Sequence, residues 1–115
     1  MPFPYYYDTS MYDDVVYEDK FIWNRSKNEL NKQRHKISFE TASLVFDDPL
    51  AMVVYDFANS IYEDRYRLTG FLMSHSFFVT VSFTPRMELT RIFSARKADE
   101  KEKDEYIENA NRYFD

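Results

Sequence analysis

Residues 77–84 read Phe-Phe-Val-Thr-Val-Ser-Phe-Thr, the clearest strand pattern in the chain. Because side chains alternate between the two faces of a strand, Phe77, Val79, Val81 and Phe83 share one face and leave a more polar face behind them. Three more β-rich segments, at residues 51–57, 65–73 and 88–95, are separated by turn residues. Four strands with short connections predict an antiparallel sheet with one apolar face.

Helical patterns lie before and after this predicted sheet. A short strand at residues 21–23 is followed by a polar helix over about 27–35, and Ser38 can cap a second helix that ends before Pro49. A third helix is expected over about 99–111. The order predicts an α+β domain with its helices packed on one face of the sheet.

Composition excludes several classes of protein. The chain has 115 residues, of which 44% are hydrophobic and 30% charged, as in one soluble domain. With no cysteine and a single glycine, it offers no disulfide, thiolate zinc site, thiol nucleophile or glycine-rich phosphate loop. The sequence shows neither a membrane-spanning run nor a signal peptide, so a cytoplasmic location without membrane contact is expected.

Charge is distributed unevenly along the chain, whose formal net charge is -5. Residues 1–19 contain five acids and no base, residues 99–115 carry -4, and residues 20–98 carry +4. We interpret residues 1–19 as an acidic, tyrosine-rich arm and residues 20–115 as the folded domain. The basic centre favours a polyanionic partner, although ordinary scatter of surface charge explains such differences equally well.

The first polar cluster lies on the first predicted helix. Lys27, Asn31 and His35 are spaced at i, i+4 and i+8 and therefore share one helix face, with Arg34 beside them. The interpretation that requires no function is a solvated surface helix.

Two more polar clusters lie on the predicted sheet and the final helix. Glu63, Arg65 and Arg67 alternate along one strand face, where charge either serves a ligand or protects a sheet edge. Arg91 and Arg96, together with Lys97, lie near the end of the last strand and its junction to the final helix. Two roles are open for Tyr106 of the final helix: its hydroxyl points at these arginines, or the ring is part of the core.

These residue types match the needs of metal-free RNA cleavage. The ribose 2′-hydroxyl attacks the adjacent phosphate, so the site needs groups that take and give protons and cations for the developing charge. Arginine suits the last role because its planar fork binds phosphate oxygens in pairs. The chain has two histidines and no HExxH pattern, and it lacks the Gly-x-Ser-x-Gly elbow of serine hydrolases, so neither a metal nor another cofactor is expected.

Several motifs resemble the BrnT family, the toxins of type II toxin–antitoxin systems. They cover about residues 20–107 at matching spacings. The stretches that follow the family pattern in register are Phe21-Ile-Trp-Asn-Arg-Ser-Lys27, Asn31, Arg34-His-Lys-Ile-Ser-Phe-Glu40, Ala42, Val45-Phe-Asp-Asp-Pro49, Glu63, Arg65, Gly70, Thr84, Arg86, Arg91-Ile-Phe-Ser-Ala-Arg-Lys-Ala98, Glu102 and Tyr106.

The resemblance implies a RelE-like α+β fold: a four-stranded antiparallel sheet with a short N-terminal strand, two N-terminal helices and one C-terminal helix. It also implies a ribonuclease that lowers translation and is neutralised by a ribbon-helix-helix antitoxin of the BrnA type, through which it contacts operator DNA. The implied catalytic candidates are His35, Glu63, Arg65, Arg91 and Tyr106. The candidate phosphate-binding residues are Lys27, Arg34, Arg67 and Arg96.

The chain departs from the family pattern at three positions. Asn24 replaces the usual Asp, Arg34 the usual Lys, and Lys36 the usual Gly after the histidine. Glycine at position 36 would adopt a positive φ at the helix end, so lysine must either accept that conformation or change the turn that carries His35.

Two alternatives follow from these departures and from the arm. A relative that keeps antitoxin binding but has lost cleavage is the second functional hypothesis. The acidic arm either folds over the basic face and moderates the toxin, or is an extension without such a role.

Overall fold

A computed structural model describes residues 13–114, which form an α+β fold with a six-stranded sheet and three α-helices. Two short 3₁₀ helices complete it. None of the helices in these residues is long and apolar enough to cross a membrane. The elements, in chain order, are β1 (Asp14–Tyr17), β2 (Phe21–Asn24), α1 (Arg25–His35), α2 (Phe39–Ala42), a 3₁₀ helix (Ser43–Asp47), β3 (Met52–Tyr55), a 3₁₀ turn (Phe57–Asn59), β4 (Tyr66–Leu72), β5 (Phe77–Arg86), β6 (Leu89–Lys97) and α3 (Glu100–Arg112).

The strands lie in the order β1-β2-β6-β5-β4-β3. Neighbours are antiparallel except β2 and β6, which run parallel through Phe21–Thr90 and Ile22–Arg91. The predicted meander β3 to β6 and the N-terminal strand are confirmed. The complete sheet is nevertheless mixed and six-stranded, so the expected RelE-like arrangement with a four-stranded antiparallel sheet is wrong in this detail.

Strand β1 is the element that the sequence-based prediction missed. It pairs antiparallel with β2 at the sheet edge and turns Val15 and Tyr17 toward the core while Val16 is exposed. Four residues surrounded by acids are too few to show a period. The sheet therefore includes part of the segment assigned to the acidic arm, whose residues 1–12 lie outside the described residues.

The main core lies between one face of the sheet and α2 with its 3₁₀ helix. Its fully buried side chains include Trp23, Phe39, Val45, Val79 and Val81. The second helix was predicted as one regular helix, but it changes to 3₁₀ geometry at Ser43. Its three most deeply buried apolar residues, Phe39, Ala42 and Val45, are three apart, which matches the three residues per turn of a 3₁₀ helix.

The only glycine of the sequence lies where this 3₁₀ helix crosses β4. A Cβ at Gly70 would lie 2.8 Å from Val45 Cβ and 3.0 Å from the Val45 carbonyl oxygen. Any side chain would therefore push the helix away from the sheet.

Helix α3 covers the opposite face of the sheet. Tyr106 packs edge-on against Phe78, with ring centroids 4.9 Å apart, while the neighbouring Val79 side chain lies in the main core. Adjacent strand residues face opposite sides, so α3 and α2 lie on different faces. The prediction that all helices pack on one face is wrong, because strand alternation shows which face is apolar but not which helix covers each face.

Helix α1 is attached to the molecule by asparagines rather than by an apolar face. Its buried residues are Asn28 and Asn31. Asn28 donates to Glu40 Oε1 (2.7 Å) and accepts from the Phe39 backbone N–H (2.8 Å). Asn24 caps the helix by accepting from the Lys27 N–H (3.0 Å).

Candidate functional site

A groove lies between α1 and the exposed side of β6, and we call it the α1 groove. Its volume is about 270 Å³. It combines residues of three distant chain segments. The lining residues are Lys27, Leu30, Asn31, Arg34, His35, Arg65 and Phe93.

Asn31 fixes the position of α1 along this groove. Its side-chain amide donates to the Ala95 carbonyl oxygen (2.9 Å), and its Oδ1 accepts from the Ala95 N–H (3.1 Å). The side chain thus makes the two hydrogen bonds that a neighbouring strand would make with β6 beyond the end of β2. Lys27 and His35, one turn before and after Asn31, are consequently held beside the sheet.

A β-bulge turns Phe93 into the groove. Ser82 pairs with Ser94 and Phe83 with Ile92, so Phe93 is the extra residue in β6. Bulges of this kind redirect a side chain and are frequent next to active sites. The sequence contains a signal for this bulge: Ile92 and Ala95 are both apolar but three residues apart, and a regular strand cannot turn both into one core.

Arg65 lies over the ring of Phe93, with its guanidinium carbon 3.8 Å from the ring centroid. Lys27 Nζ approaches the same ring at 5.7 Å. Glu63 Oε1 is 3.8 Å from Arg65 Nη2, and the other oxygen of Glu63 accepts a hydrogen bond from Arg86 at 2.9 Å. Arg67 lies in β4, whereas Glu63 and Arg65 precede it, so the three residues do not alternate along one strand as predicted.

The α1 groove is basic. Its lining residues include two arginines, a lysine and a histidine but no carboxylate. Within residues 13–114, no carboxylate oxygen lies within 4.0 Å of a side-chain nitrogen of Lys27, Arg34 or His35. Such a surface suits a phosphate group, since its lining contains no carboxylate and Glu63, outside the lining, approaches Arg65 only to 3.8 Å.

The turn after His35 keeps the conformation expected of glycine. Lys36 has φ 63° and ψ 24°, and its N–H donates to the Lys32 carbonyl oxygen at 3.0 Å. Lys36 Nζ also donates to the Gln33 carbonyl oxygen (3.0 Å). Of the two expected outcomes at this position, the lysine accepts the left-handed conformation, and the turn that carries His35 is retained.

Arg91 and Arg96 are each held by a carboxylate and form no common basic cluster. Arg91 donates two hydrogen bonds to Asp14 of β1 (3.0 and 3.2 Å). Arg96 donates two to Glu102 of α3 (2.7 and 3.0 Å). By strand alternation Arg91 shares a face with Phe93, two residues further along β6, so its pair with Asp14 lies next to the groove.

Arg67 and Tyr106 lie apart from the α1 groove. Arg67 lines a cavity of about 220 Å³ with residues of α3, and its buried Nε has no hydrogen-bond partner in the described chain. The Tyr106 hydroxyl donates to Asp48 Oδ2 (2.6 Å), which also accepts from the Phe71 N–H (2.9 Å). Burial, followed by the hydrogen bond to Asp48, raises the pKa of Tyr106 well above its usual value.

A larger cavity, of about 440 Å³, lies beside Tyr106 and is lined mostly by apolar side chains such as Leu44, Pro49 and Leu72. Tyr106 is the only predicted site residue in its lining. In residues 13–114, no three His, Asp or Glu side chains are grouped to hold a metal ion. The α1 groove therefore remains the candidate site, because four predicted residues line it: Lys27, Arg34 and His35 of α1, and Arg65 of the segment before β4.

Comparison with known proteins decides the family. A family model described as "Ribonuclease toxin, BrnT, of type II toxin-antitoxin system" matches residues 23–102, more than half of the chain. This chain belongs to the BrnT family. Its resemblance to BrnT toxins, expected from the sequence, is confirmed. Among curated proteins, none matches the chain.

The crystal structure of the Brucella abortus ribonuclease toxin BrnT is similar in fold. It has a TM-score of 0.55 and 21% identity, and the match covers 70% of this chain and 97% of the Brucella chain. The BrnT match includes every residue of the α1 groove but begins at Trp23, so β1 and its Asp14 lie outside the matched residues.

Proposed function

We propose that this protein is a metal-independent endoribonuclease that cleaves RNA in the α1 groove. The observation that carries the proposal is the groove itself, in which Lys27, Arg34, His35 and Arg65 line one surface without a carboxylate. Membership of a ribonuclease toxin family supports RNA as the polyanion.

The proposed reaction divides among groups of the groove and its rim. Arg65 and Lys27 hold the scissile phosphate, and Arg34 binds a neighbouring one. Either His35 or Glu63 takes the proton of the 2′-hydroxyl while the hydroxyl oxygen attacks phosphorus. The other residue protonates the leaving 5′-oxygen. The P–O5′ bond breaks and a 2′,3′-cyclic phosphate forms.

Four of the candidate residues receive other roles in the proposal. Arg91 extends the phosphate-binding surface when it is released from Asp14. Arg96 and Arg67 hold α3 on the sheet, since Arg96 binds Glu102 and Arg67 lies in the cavity beneath the helix. Tyr106 keeps its proton because its pKa is raised, and it positions Asp48 rather than transferring a proton.

Cleavage by this toxin lowers translation in the proposed system, and a ribbon-helix-helix antitoxin of the BrnA type neutralises it. Type II toxins are paired with a protein antitoxin, and family membership supports such a partner here. The toxin contacts operator DNA only through that antitoxin. Expression of the protein alone is expected to slow bacterial growth, and coexpression of the gene product encoded next to it restores growth.

The decisive experiment measures cleavage by the purified protein, freed of antitoxin, in the presence of EDTA. We expect RNA fragments that end in 2′,3′-cyclic phosphate. We also expect Arg65→Ala to lower kcat/KM by roughly 100-fold or more, which is the usual effect of removing one hydrogen-bond donor that stabilises transition-state charge in an enzyme. The matched control is Arg112→Ala, because Arg112 is exposed on α3 and pairs with Glu108.

The outcome also separates the two functional hypotheses. Cleavage that is lost with Arg65→Ala and kept with Arg112→Ala supports the ribonuclease. Absence of cleavage by the wild type, together with tight antitoxin binding, would instead identify a relative that keeps only its interaction surface.

A further inference from the structure

Three of the candidate arginines, Arg91, Arg96 and Arg65, are held by neighbours that differ in charge. Asp14 holds Arg91 and Glu102 holds Arg96, and each carboxylate cancels the positive charge that it positions. Arg65 is the exception. Its guanidinium lies on the neutral ring of Phe93, and Glu63, the carboxylate beside it, is 3.8 Å away and forms no hydrogen bond with it.

We propose that Phe93 is a positioning residue, which holds Arg65 and Lys27 in the α1 groove without neutralising them. This inference deepens the proposed function and rests on it. An aromatic face attracts cations through its quadrupole but carries no net charge, so the cations remain free to bind a phosphate.

The hydrogen bonds of Arg65 agree with this role. No side-chain nitrogen of Arg65 donates a hydrogen bond within the part of the chain that the structure describes, although its side chain is only 34% exposed. Glu63 is 3.8 Å away, beyond hydrogen-bond distance, and its nearer partner is Arg86. The ring thus restricts the guanidinium while its donors stay available.

The position of the ring depends on the bulge in β6. Without the extra residue, the alternation of β6 would send either Ile92 or Ala95 out of the core. The bulge lets both remain buried. It also places the Phe93 ring between Lys27 of α1 and Arg65, which directly precedes β4.

The molecule contains its own control for this contact. On the opposite face of the sheet, Lys97 Nζ lies 4.7 Å from the ring centroid of Phe77. Like Phe93, Phe77 is half-buried and contacts a cationic side chain. Phe77→Leu makes the same chemical change as Phe93→Leu, but outside the groove.

The test measures binding of a 2′-O-methyl RNA oligonucleotide, which cannot be cleaved, by fluorescence anisotropy. We expect Phe93→Leu to weaken binding roughly 2- to 30-fold, the range of a cation–π contact, and Phe93→Tyr to restore it because the ring is kept. Phe77→Leu keeps wild-type affinity. In the Arg65→Ala background, Phe93→Leu has a smaller effect than in the wild type. Circular dichroism verifies that each variant is folded.

An NMR measurement tests the contact without RNA. The aromatic ring current shifts the Arg65 side-chain resonances upfield, and Phe93→Leu removes that shift while Phe77→Leu does not. Equal binding by Phe93→Leu and the wild type, failure of Phe93→Tyr to restore binding, or fully additive effects with Arg65→Ala would each overturn the inference; additivity would mean that the ring contacts RNA itself.

Failure of the proposed function gives a different result. A wild type that binds the oligonucleotide but does not cleave natural RNA contradicts the ribonuclease proposal, while the order of binding affinities still decides the role of Phe93. A wild type that binds no RNA overturns both.

Discussion

Lys36 occupies a backbone conformation that glycine adopts with less strain. Its φ of 63° ends α1, and the cap N–H donates to Lys32 as in a helix that closes on glycine. The strain falls directly after His35, whose placement in the α1 groove depends on this turn. The lysine therefore keeps a left-handed helix end at the expense of some stability.

We expect Lys36→Gly to raise the free energy of unfolding by about 0.5–1 kcal/mol, measured by urea denaturation. The gain is the relief of left-handed strain, reduced by the greater entropy of glycine in the unfolded chain. The substitution also removes the hydrogen bond from Lys36 Nζ to the Gln33 carbonyl oxygen. This loss reduces the gain in unfolding free energy only slightly, because the hydrogen bond is exposed.

Gln33→Gly is the matched control, because Gln33 is an exposed position inside the same helix. There glycine lowers the free energy of unfolding by about 1 kcal/mol. If Lys36→Gly and Gln33→Gly change the free energy of unfolding in the same direction, the backbone at position 36 is not strained.

Sequence spacing predicts site residues that lie on one element, and it fails for those that depend on distant partners. Lys27 and His35 share a helix face and reach one groove as expected. Tyr106 binds Asp48, 58 residues away, and Arg91 binds Asp14, 77 residues away. No local pattern contains such pairs, because the fold alone brings them together.

At the scale of elements, β1 is an addition to the part of the chain that the BrnT model matches. It extends the sheet beyond β2 and carries Asp14 to Arg91, where both side chains are largely buried, 22% and 15% exposed. Removal of residues 1–19 would also remove Val15 and Tyr17 from the core. A point substitution therefore tests the expected moderating effect of the acidic arm better than a deletion.

We expect Asp14→Asn to increase RNA affinity, because it releases the charge of Arg91 beside the groove. One additional phosphate contact steepens the dependence of log Kobs on log salt by about 0.7 for a single strand. Anisotropy titrations of a 2′-O-methyl oligonucleotide at several salt concentrations measure both quantities.

Glu108→Gln controls for the change in net charge, since it removes one carboxylate from the exposed side of α3. Its salt dependence should equal that of the wild type. Identical slopes for Asp14→Asn and Glu108→Gln would show that the Asp14–Arg91 pair does not compete with RNA.

The strands and helices that the sequence predicts are those with a sustained period. The meander and α3 have one, and their boundaries agree within a few residues. Strand β1 is too short for a period, and the 3₁₀ helix follows a three-residue spacing that resembles a helical one. The bulge at Phe93 interrupts the alternation of β6, and the three-residue spacing of Ile92 and Ala95 indicates it only if both are known to be buried.

At the scale of the whole molecule, Glu102 joins the α3 layer to the sheet. It accepts two hydrogen bonds from Arg96 and one from the Asp99 N–H, and it closes the capping box of α3. Burial raises the pKa of Glu102, but these hydrogen bonds together outweigh burial and hold it below its usual value. Sequence alternation gave no indication of this second helical layer.

The lowered pKa predicts an acid-dependent loss of stability. Above the ordinary glutamate pKa of about 4.3, Glu102 is ionised in the folded and unfolded chain, and its stabilising effect is complete. As the pH falls, the unfolded chain takes up the proton first, so the effect decreases and is lost below the folded-state pKa. The difference in unfolding free energy between wild type and Glu102→Gln should therefore shrink from pH 6 to pH 3.

Urea denaturation at each pH measures this difference, and Glu108→Gln serves as the control for loss of a carboxylate from the same helix. A difference for Glu102→Gln that stays constant over this range, or that changes in the same way as the control, would contradict the role assigned to the Arg96–Glu102 pair.

The chain has one tryptophan, and its position makes it an optical probe of the whole assembly. Trp23 is 1% exposed, and its ring centroid lies 5.2 Å from Tyr17 of β1 and 5.8 Å from Phe39 of α2. An indole in such surroundings emits at shorter wavelengths than one in water. Its intrinsic fluorescence therefore reports, without any label, the detachment of β1 as well as the unfolding of the core.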